Sequence, residues 1–100
     1  MLILTLLNEE DMYGYQLSQL IAERSNHILT IPEGSMYPTL YRLVDNGYIT
    51  DRRELVGRRQ SRVYYHIEET GKERLKALWT EYHLVCDGIQ HISELSASIE

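Results

Sequence analysis

The sequence predicts a mainly α (α+β) chain in which short helices carry one two-stranded hairpin and a long helix follows. Three observations predict it. Apolar residues recur at helical spacing in two consecutive segments, 13–25 and 35–47. Residues 62–69 alternate instead: Val63, Tyr65 and Ile67 against Arg62, Tyr64, His66 and Glu68, the period-two mark of a half-buried strand. From Leu75 onward, Leu75, Leu78, Tyr82, Val85, Ile89 and Ile92 repeat at intervals of 3-4-3-4-3, a heptad seam.

The elements justify themselves in order. Residues 1–7 are almost wholly apolar and read as a buried helix, followed by a polar break at 8–11. The next helix places Tyr13, Leu17, Leu20 and Ile21 at core spacing, with Gly14 near its start, and ends at Ser25-Asn26-His27. Residues 28–32 are extended, because Pro32 biases Ile31 away from helix. In the helix over 35–47, Ser35 is the expected N-cap and Pro38 falls in the first turn, where a missing N–H is tolerated. Asn46-Gly47 provides the left-handed stop. Met36, Leu40, Leu43 and Val44 gather on one side of this helix, and Pro38, Thr39, Tyr41, Arg42 and Asp45 on the other. A strand over 52–56, a turn over 57–61 and the alternating strand complete a hairpin. Thr70 with Glu73 makes a capping-box pattern for the last helix. That helix would run from Gly71 to about Leu95, roughly 35 Å at 1.5 Å per residue, longer than its own core requires. Its outer part, with the apolar first helix, is expected to pack on a second subunit.

Composition bounds the function. One hundred residues make one domain, with 1–69 as the globular part and 70–100 as a helix joined to it in one structural unit. A single Cys excludes an intrachain disulfide framework and suits a reducing cytoplasm. The opening MLILTLL has neither a basic flank nor a cleavage site, and no apolar run approaches the ~20 residues that span a bilayer. Net charge is −5, yet the segment from Arg52 to Arg62 holds five Arg and one Glu, so its +4 leaves −9 for the rest. That asymmetry points to a polyanion more than the total does; a solvated charged hairpin is the other reading. A phosphate loop, nucleophile elbow, HExxH and CxxC are all missing from the sequence, so no catalytic residue and no cofactor is expected. His83, Cys86, Asp87 and His91 share a helix face, but ligands from one helix do not close a coordination shell, and no metal is expected.

Two helices, a recognition-type helix and a two-stranded wing make a winged helix-turn-helix. The segments YGYQLSQLI, GSMYPTLYRLVDNGYI and GRRQSRVYYHIEETGKERL, in that order and spacing, closely resemble the PadR family of bacterial transcriptional regulators. The resemblance covers about 2–92, and the short C-terminal part resembles the compact subfamily with a single dimerisation helix. Glu68-Glu69-Thr70 before Gly71 departs from the family pattern, a change expected to alter the helix cap and not the function.

The resemblance implies a homodimer that binds a palindromic operator in double-stranded DNA, usually as a repressor, sometimes released by a small phenolic, aromatic or cationic effector. Ser35, Tyr37, Thr39 and Arg42 lie at the start or on the exposed face of the recognition helix, and Pro38 shapes its entry. Arg42 suits a bidentate guanine contact or a phosphate contact. Arg58, Arg59 and Arg62 on the wing would meet phosphates or enter the minor groove. Leu75, Leu78, Tyr82, Val85, Ile89 and Ile92 form the expected dimer seam. Trp79 and Tyr82, with Leu4 and Leu7 opposite, are the candidate effector residues; plain core packing is the alternative for both rings. A non-enzymatic winged-helix protein-interaction module is the competing function.

Overall fold

A computed structural model of the chain describes residues 1–99; position 100, the end of the expected dimerisation helix, lies outside the described residues. In chain order the elements are α1 (Leu2–Leu7), β1 (Met12–Tyr13), α2 (Gly14–Arg24), α3 (Glu33–Asp45), β2 (Ile49–Val56), β3 (Gln60–Ile67) and α4 (Glu69–Ile99). The three strands form an antiparallel sheet in the order β1-β3-β2. This is the winged helix expected, with one strand more than the hairpin. β1 pairs only Met12 with Tyr65 and Tyr13 with Tyr64, a length too short to leave a periodic signal.

The core draws on every element. Leu4 and Leu7 of α1, Met12 of β1, Leu17 of α2, Leu40 of α3 and Ile49 of β2 are the largest fully buried side chains. α4 adds Leu75, with Leu78 and Trp79 partly buried against the cluster. Beyond that α4 leaves the domain. Its 31 residues span about 46 Å, longer than expected because the helix starts at Glu69 and continues past Leu95. The radius of gyration is 17.3 Å, against about 13 Å for a compact chain of this length.

Two caps differ from expectation. α3 begins at Glu33, with Pro32 as its N-cap and no side-chain cap. The extended Pro32 turns its carbonyl to accept the N–H groups of Ser35 and Met36, at 2.9 and 3.1 Å, so Ser35 lies inside the first turn. Pro38 consequently falls in the second turn, where it costs the Gly34 carbonyl its intrahelical donor. At the other end Asn46-Gly47 stops the helix as expected: Gly47 has φ +76°, and Gly47 and Tyr48 donate to Val44 and Leu43, the paired bonds of a Schellman motif. Thr70 does not cap α4. Its hydroxyl donates to the Gly47 carbonyl at 2.6 Å, and the Glu68 N–H donates to the Tyr48 carbonyl at 2.9 Å. This draws the α4 entry so close that a Cβ on Gly71 would run into the Tyr48 carbonyl oxygen and lie 2.8 Å from Ile67 Cγ1.

Asp11, in the loop before β1, ties the sheet's outer face. One carboxylate oxygen pairs with Arg52 and the other lies 2.7 Å from His66 Nδ1. Arg52 also reaches Glu54 at 2.7 Å. Partial burial pushes the Asp11 pKa up, but the hydrogen bonds from His66 and Arg52 outweigh it and hold the group below its ordinary value.

Gly71→Ala is expected to destabilise the fold by more than about 3 kcal/mol in urea unfolding, since backbone cannot retreat as a side chain does. Gly34→Ala, where a Cβ meets open space, should instead be neutral or stabilising by up to ~1 kcal/mol. Asp11→Asn is expected to lower stability at pH 7. Because the folded pKa is depressed, that contribution is complete above the unfolded value of about 3.9 and is lost as pH falls through the folded value. The two proteins should therefore converge in stability in acid, as thermal unfolding across pH will read.

Candidate nucleic-acid interface

At 100° per residue, the α3 face opposite its buried Met36 and Leu40 is centred on Pro38, with Ser35, Tyr41, Arg42 and Asp45 beside it. Ser35, Pro38 and Arg42 therefore share one outward face. Tyr37 and Thr39 flank it on opposite sides. Thr39 lies with Arg42 beside a shallow cleft toward α4, lined also by Arg74 and Leu78, and its hydroxyl donates to the Ser35 carbonyl at 2.7 Å. Tyr37 turns toward α2, where its ring packs over Gly14; a Cβ there would lie 3.2 Å from the Tyr37 hydroxyl and Cε1. That contact gives Gly14 its physical reason.

The hairpin supplies the wing. Its three-residue turn opens at Gly57, φ +80°, and carries the exposed Arg58 and Arg59. Arg62 stands apart from them, on β3 opposite Glu54, with its guanidinium 4.5 Å from the Tyr13 ring centroid. Arg52 is committed to Asp11 and Glu54. Arg53, Arg58, Arg59 and Arg62 make no ion pair among the described residues, so the uncompensated charge of the hairpin resides in those four.

Between α2, α3 and the hairpin opens a cleft of about 420 Å³, into which Tyr37 and Tyr41 of α3 face Arg53 and Tyr65 of the hairpin, with Arg62 at its rim. Tyr13, Gly14 and Tyr15 form its third side, and Asp51 its acidic edge. Sequence reasoning missed this cleft and five of its residues, Tyr13, Tyr15, Arg53, Tyr41 and Tyr65, as site residues. The available signal was the hairpin register, which pairs Asp51 with Tyr65 and Arg53 with Val63 and so puts them on one face. Burial, with Tyr41 and Asp51 nearby, pushes the Tyr65 pKa up, so the hydroxyl stays protonated.

The candidate effector residues divide. Trp79 and Tyr82 meet edge to face, their centroids 5.6 Å apart, and a hydrogen bond with Cys86 raises the Tyr82 pKa. Leu4 and Leu7 are 1% and 2% exposed and belong to the core of the domain, because α1 is too short and too apolar to present a second face. Trp79 itself edges a small apolar cleft of about 250 Å³ with Leu2, Leu6, Leu20 and Leu29. Of the expected dimer seam, Leu75 is buried in its own domain, while Val85, Ile89 and Ile92 are exposed. Among the described residues no three His, Cys, Asp or Glu gather as metal ligands would, and no helix is long and apolar enough to cross a membrane.

Comparison with known proteins agrees with this architecture. An uncharacterized protein of Lysinibacillus sphaericus is 35% identical over 89 residues, covering 86% of this chain and 82% of that one. A transcriptional regulator from Clostridium thermocellum superposes with TM-score 0.84 at 32% identity, over 89% of this chain and 86% of the other. The negative transcriptional regulator PadR of Bacillus subtilis is 29% identical over 73% of this chain, which spans only 40% of that protein's length. Its crystal structure in complex with operator DNA matches with TM-score 0.72 and 27% identity, over 77% of this chain and 44% of that one. The family model described as the transcriptional regulator PadR-like family matches residues 3–77, from α1 through the recognition helix and wing into the first turns of α4, and the chain belongs to that family.

Proposed function

We propose that this chain is a dimeric, sequence-specific DNA-binding repressor acting at a palindromic operator. The observation that carries the reading is that Tyr37 and Tyr41 of α3 meet Arg53 of the hairpin across one cleft, so that the exposed face of Ser35, Pro38 and Arg42 and the uncommitted arginines belong to neighbouring elements. A helix about 10–12 Å across enters a major groove about 12 Å wide, and a narrow two-stranded wing suits the minor groove beside it. Arg42 then reaches base edges from α3, Ser35, Pro38 and Thr39 set its approach, Tyr37 supports the entry turn, and Arg58, Arg59 and Arg62 meet phosphates. The operator complex of the Bacillus subtilis relative supports this assignment, and the name of that relative as a negative regulator supports repression.

The second copy is proposed to join along α4, over 70–100, with Tyr82, Val85, Ile89 and Ile92 as the seam; Leu75 is taken up by its own core, and Leu78 in part. What supports this is exposure: Val85 is 60% and Ile89 59% exposed on a helix that leaves its own domain, a contiguous apolar surface of the kind that marks an interaction site. A two-fold axis would present two copies of α3 to major grooves about 34–36 Å apart. An aromatic effector is proposed to stack at Trp79 and Tyr82.

Selection from random duplexes at moderate salt is expected to recover a palindrome; failure of folded protein to bind any duplex would favour a protein-interaction module instead. Arg58→Ala with Arg59→Ala should weaken binding to every duplex and lower the salt slope by about two. Arg42→Ala should cost about 1–3 kcal/mol and relax preference at one base pair per half-site; an unchanged preference would assign Arg42 to phosphate. Val85→Asp with Ile89→Asp, both exposed in the single chain, should give a folded monomer in sedimentation and abolish operator binding. A dimer that survived that change would refute the seam.

A further inference from the structure

The cleft between α2, α3 and the hairpin has the chemistry of an anion seat. Tyr65 is only 3% exposed yet lines it. The Tyr65 hydroxyl has no hydrogen-bond partner among the described residues. No fully enclosed polar side-chain atom there lacks a partner, so this hydroxyl opens on the cleft. Five of the chain's eight tyrosines border it, and the chain has no Phe. A packing role alone asks for rings, whereas these rings each bring a donor. Arg53 sets one positive charge in it against the carboxylate of Asp51, and Arg62, which the register turns to the other face over Tyr13, stands at its rim. α2 begins on the cleft without a side-chain cap, which leaves first-turn amides available to an anion.

DNA geometry names the anion. A protein that places a helix in the major groove and a wing in the adjoining minor groove must let the strand between those grooves pass through the gap between helix and wing. In this chain that gap is the tyrosine cleft. Its volume of about 420 Å³ equals roughly fourteen waters at ~30 Å³ each, room for a phosphate together with its sugar. We infer that the cleft seats one phosphodiester of each half-site, with Tyr65 as its floor and Arg53 as its cationic wall, an inference that rests on the DNA-binding reading above. Asp51 opposes the seat, and is the residue whose neutralisation should improve it.

The test measures binding of Tyr65→Phe, Arg53→Gln and Asp51→Asn to the selected duplex and to a random-sequence duplex of equal length. Tyr65→Phe is expected to weaken both about tenfold, as loss of one hydrogen bond to a charged group does, and to leave the salt slope unchanged. Arg53→Gln should weaken both and lower the slope by about one. Asp51→Asn should tighten both. A methylphosphonate scan of the half-site should find one position where the unsubstituted protein loses affinity and Tyr65→Phe loses no more. Wild-type affinity in both Tyr65→Phe and Arg53→Gln, with the Arg58 and Arg59 substitutions still costly, would overturn the seat and leave the DNA reading standing. A loss confined to the selected duplex would place Tyr65 on a base and also overturn it. No duplex binding by the unsubstituted protein would overturn both.

Discussion

The structure hangs on the approach of α4 to two carbonyls. The chain leaves α3 through the Schellman turn at Asn46-Gly47, so the Gly47 and Tyr48 carbonyls are free of the helix. Thr70 and the Glu68 amide take up those carbonyls, and Gly71, lacking a Cβ, lets α4 settle against them. Thr50 adds a bond from its hydroxyl to the Glu68 carboxylate at 2.9 Å. Three elements meet at that point: the end of the recognition helix, the start of the wing, and the start of the long helix. A backbone contact of this kind has almost no slack, because peptide carbonyls cannot rotate away without breaking the bonds on either side. The angle between α3, the hairpin and α4 is therefore set by main-chain geometry, and the side-chain core fills the space behind it.

Much of this was legible in the sequence because its signals are local. The core face of α3, the Asn46-Gly47 stop and the alternation of Val63, Tyr65 and Ile67 each depend on residues within a few positions of one another, and all three appear in the fold. The misreadings share a cause. Ser35 looked like a cap by residue type, but Pro32 had already set the backbone for helix entry three residues earlier. Thr70 looked like a cap by spacing to Glu73, but a carbonyl 23 residues away in sequence took its hydroxyl. The tyrosine cleft was invisible for the same reason: Gly14 meets Tyr37, and Tyr13 meets Tyr64, only once the sheet and helices are assembled. Leu4 and Leu7 had the right composition for a pocket wall, and only packing could assign them to the core.

The charge of the chain makes sense once each arginine is followed to its partner. An acidic protein is repelled by a polyanion at long range, so attraction must come from a patch whose cations are not cancelled at home. Asp11 and Glu54 compensate Arg52, which lies on the sheet's outer face over Tyr64. Among the described residues, Arg53, Arg58, Arg59 and Arg62 make no ion pair. The Arg52 pairing also anchors the base of the wing: Asp11 joins the loop before β1 to Arg52 of β2 and His66 of β3. Arginines on an anchored wing lose less freedom on meeting phosphate than arginines on a loose loop would.

The junction at Gly71 also bears on how a regulator of this build would respond to an effector. Trp79 and Tyr82 lie on the same unbroken helix as Thr70 and Gly71, about two to three turns away. A ligand between α4 helices of the proposed dimer has two ways to weaken binding: deform each recognition helix, or change the separation of the two. The backbone contact at Tyr48 opposes the first, since loosening α3 would require breaking the Schellman turn and the Thr70 bond together. It favours the second, because each domain moves as one piece with the base of its own α4. Rigid reorientation about the dimer interface alters half-site spacing while leaving every local contact intact. A palindrome reader is sensitive to that quantity, since both copies of α3 must find their grooves at once. In the proposed dimer, the stiffness that fixes α3 against α4 within a subunit would thus make the interface between subunits the place where an effector acts.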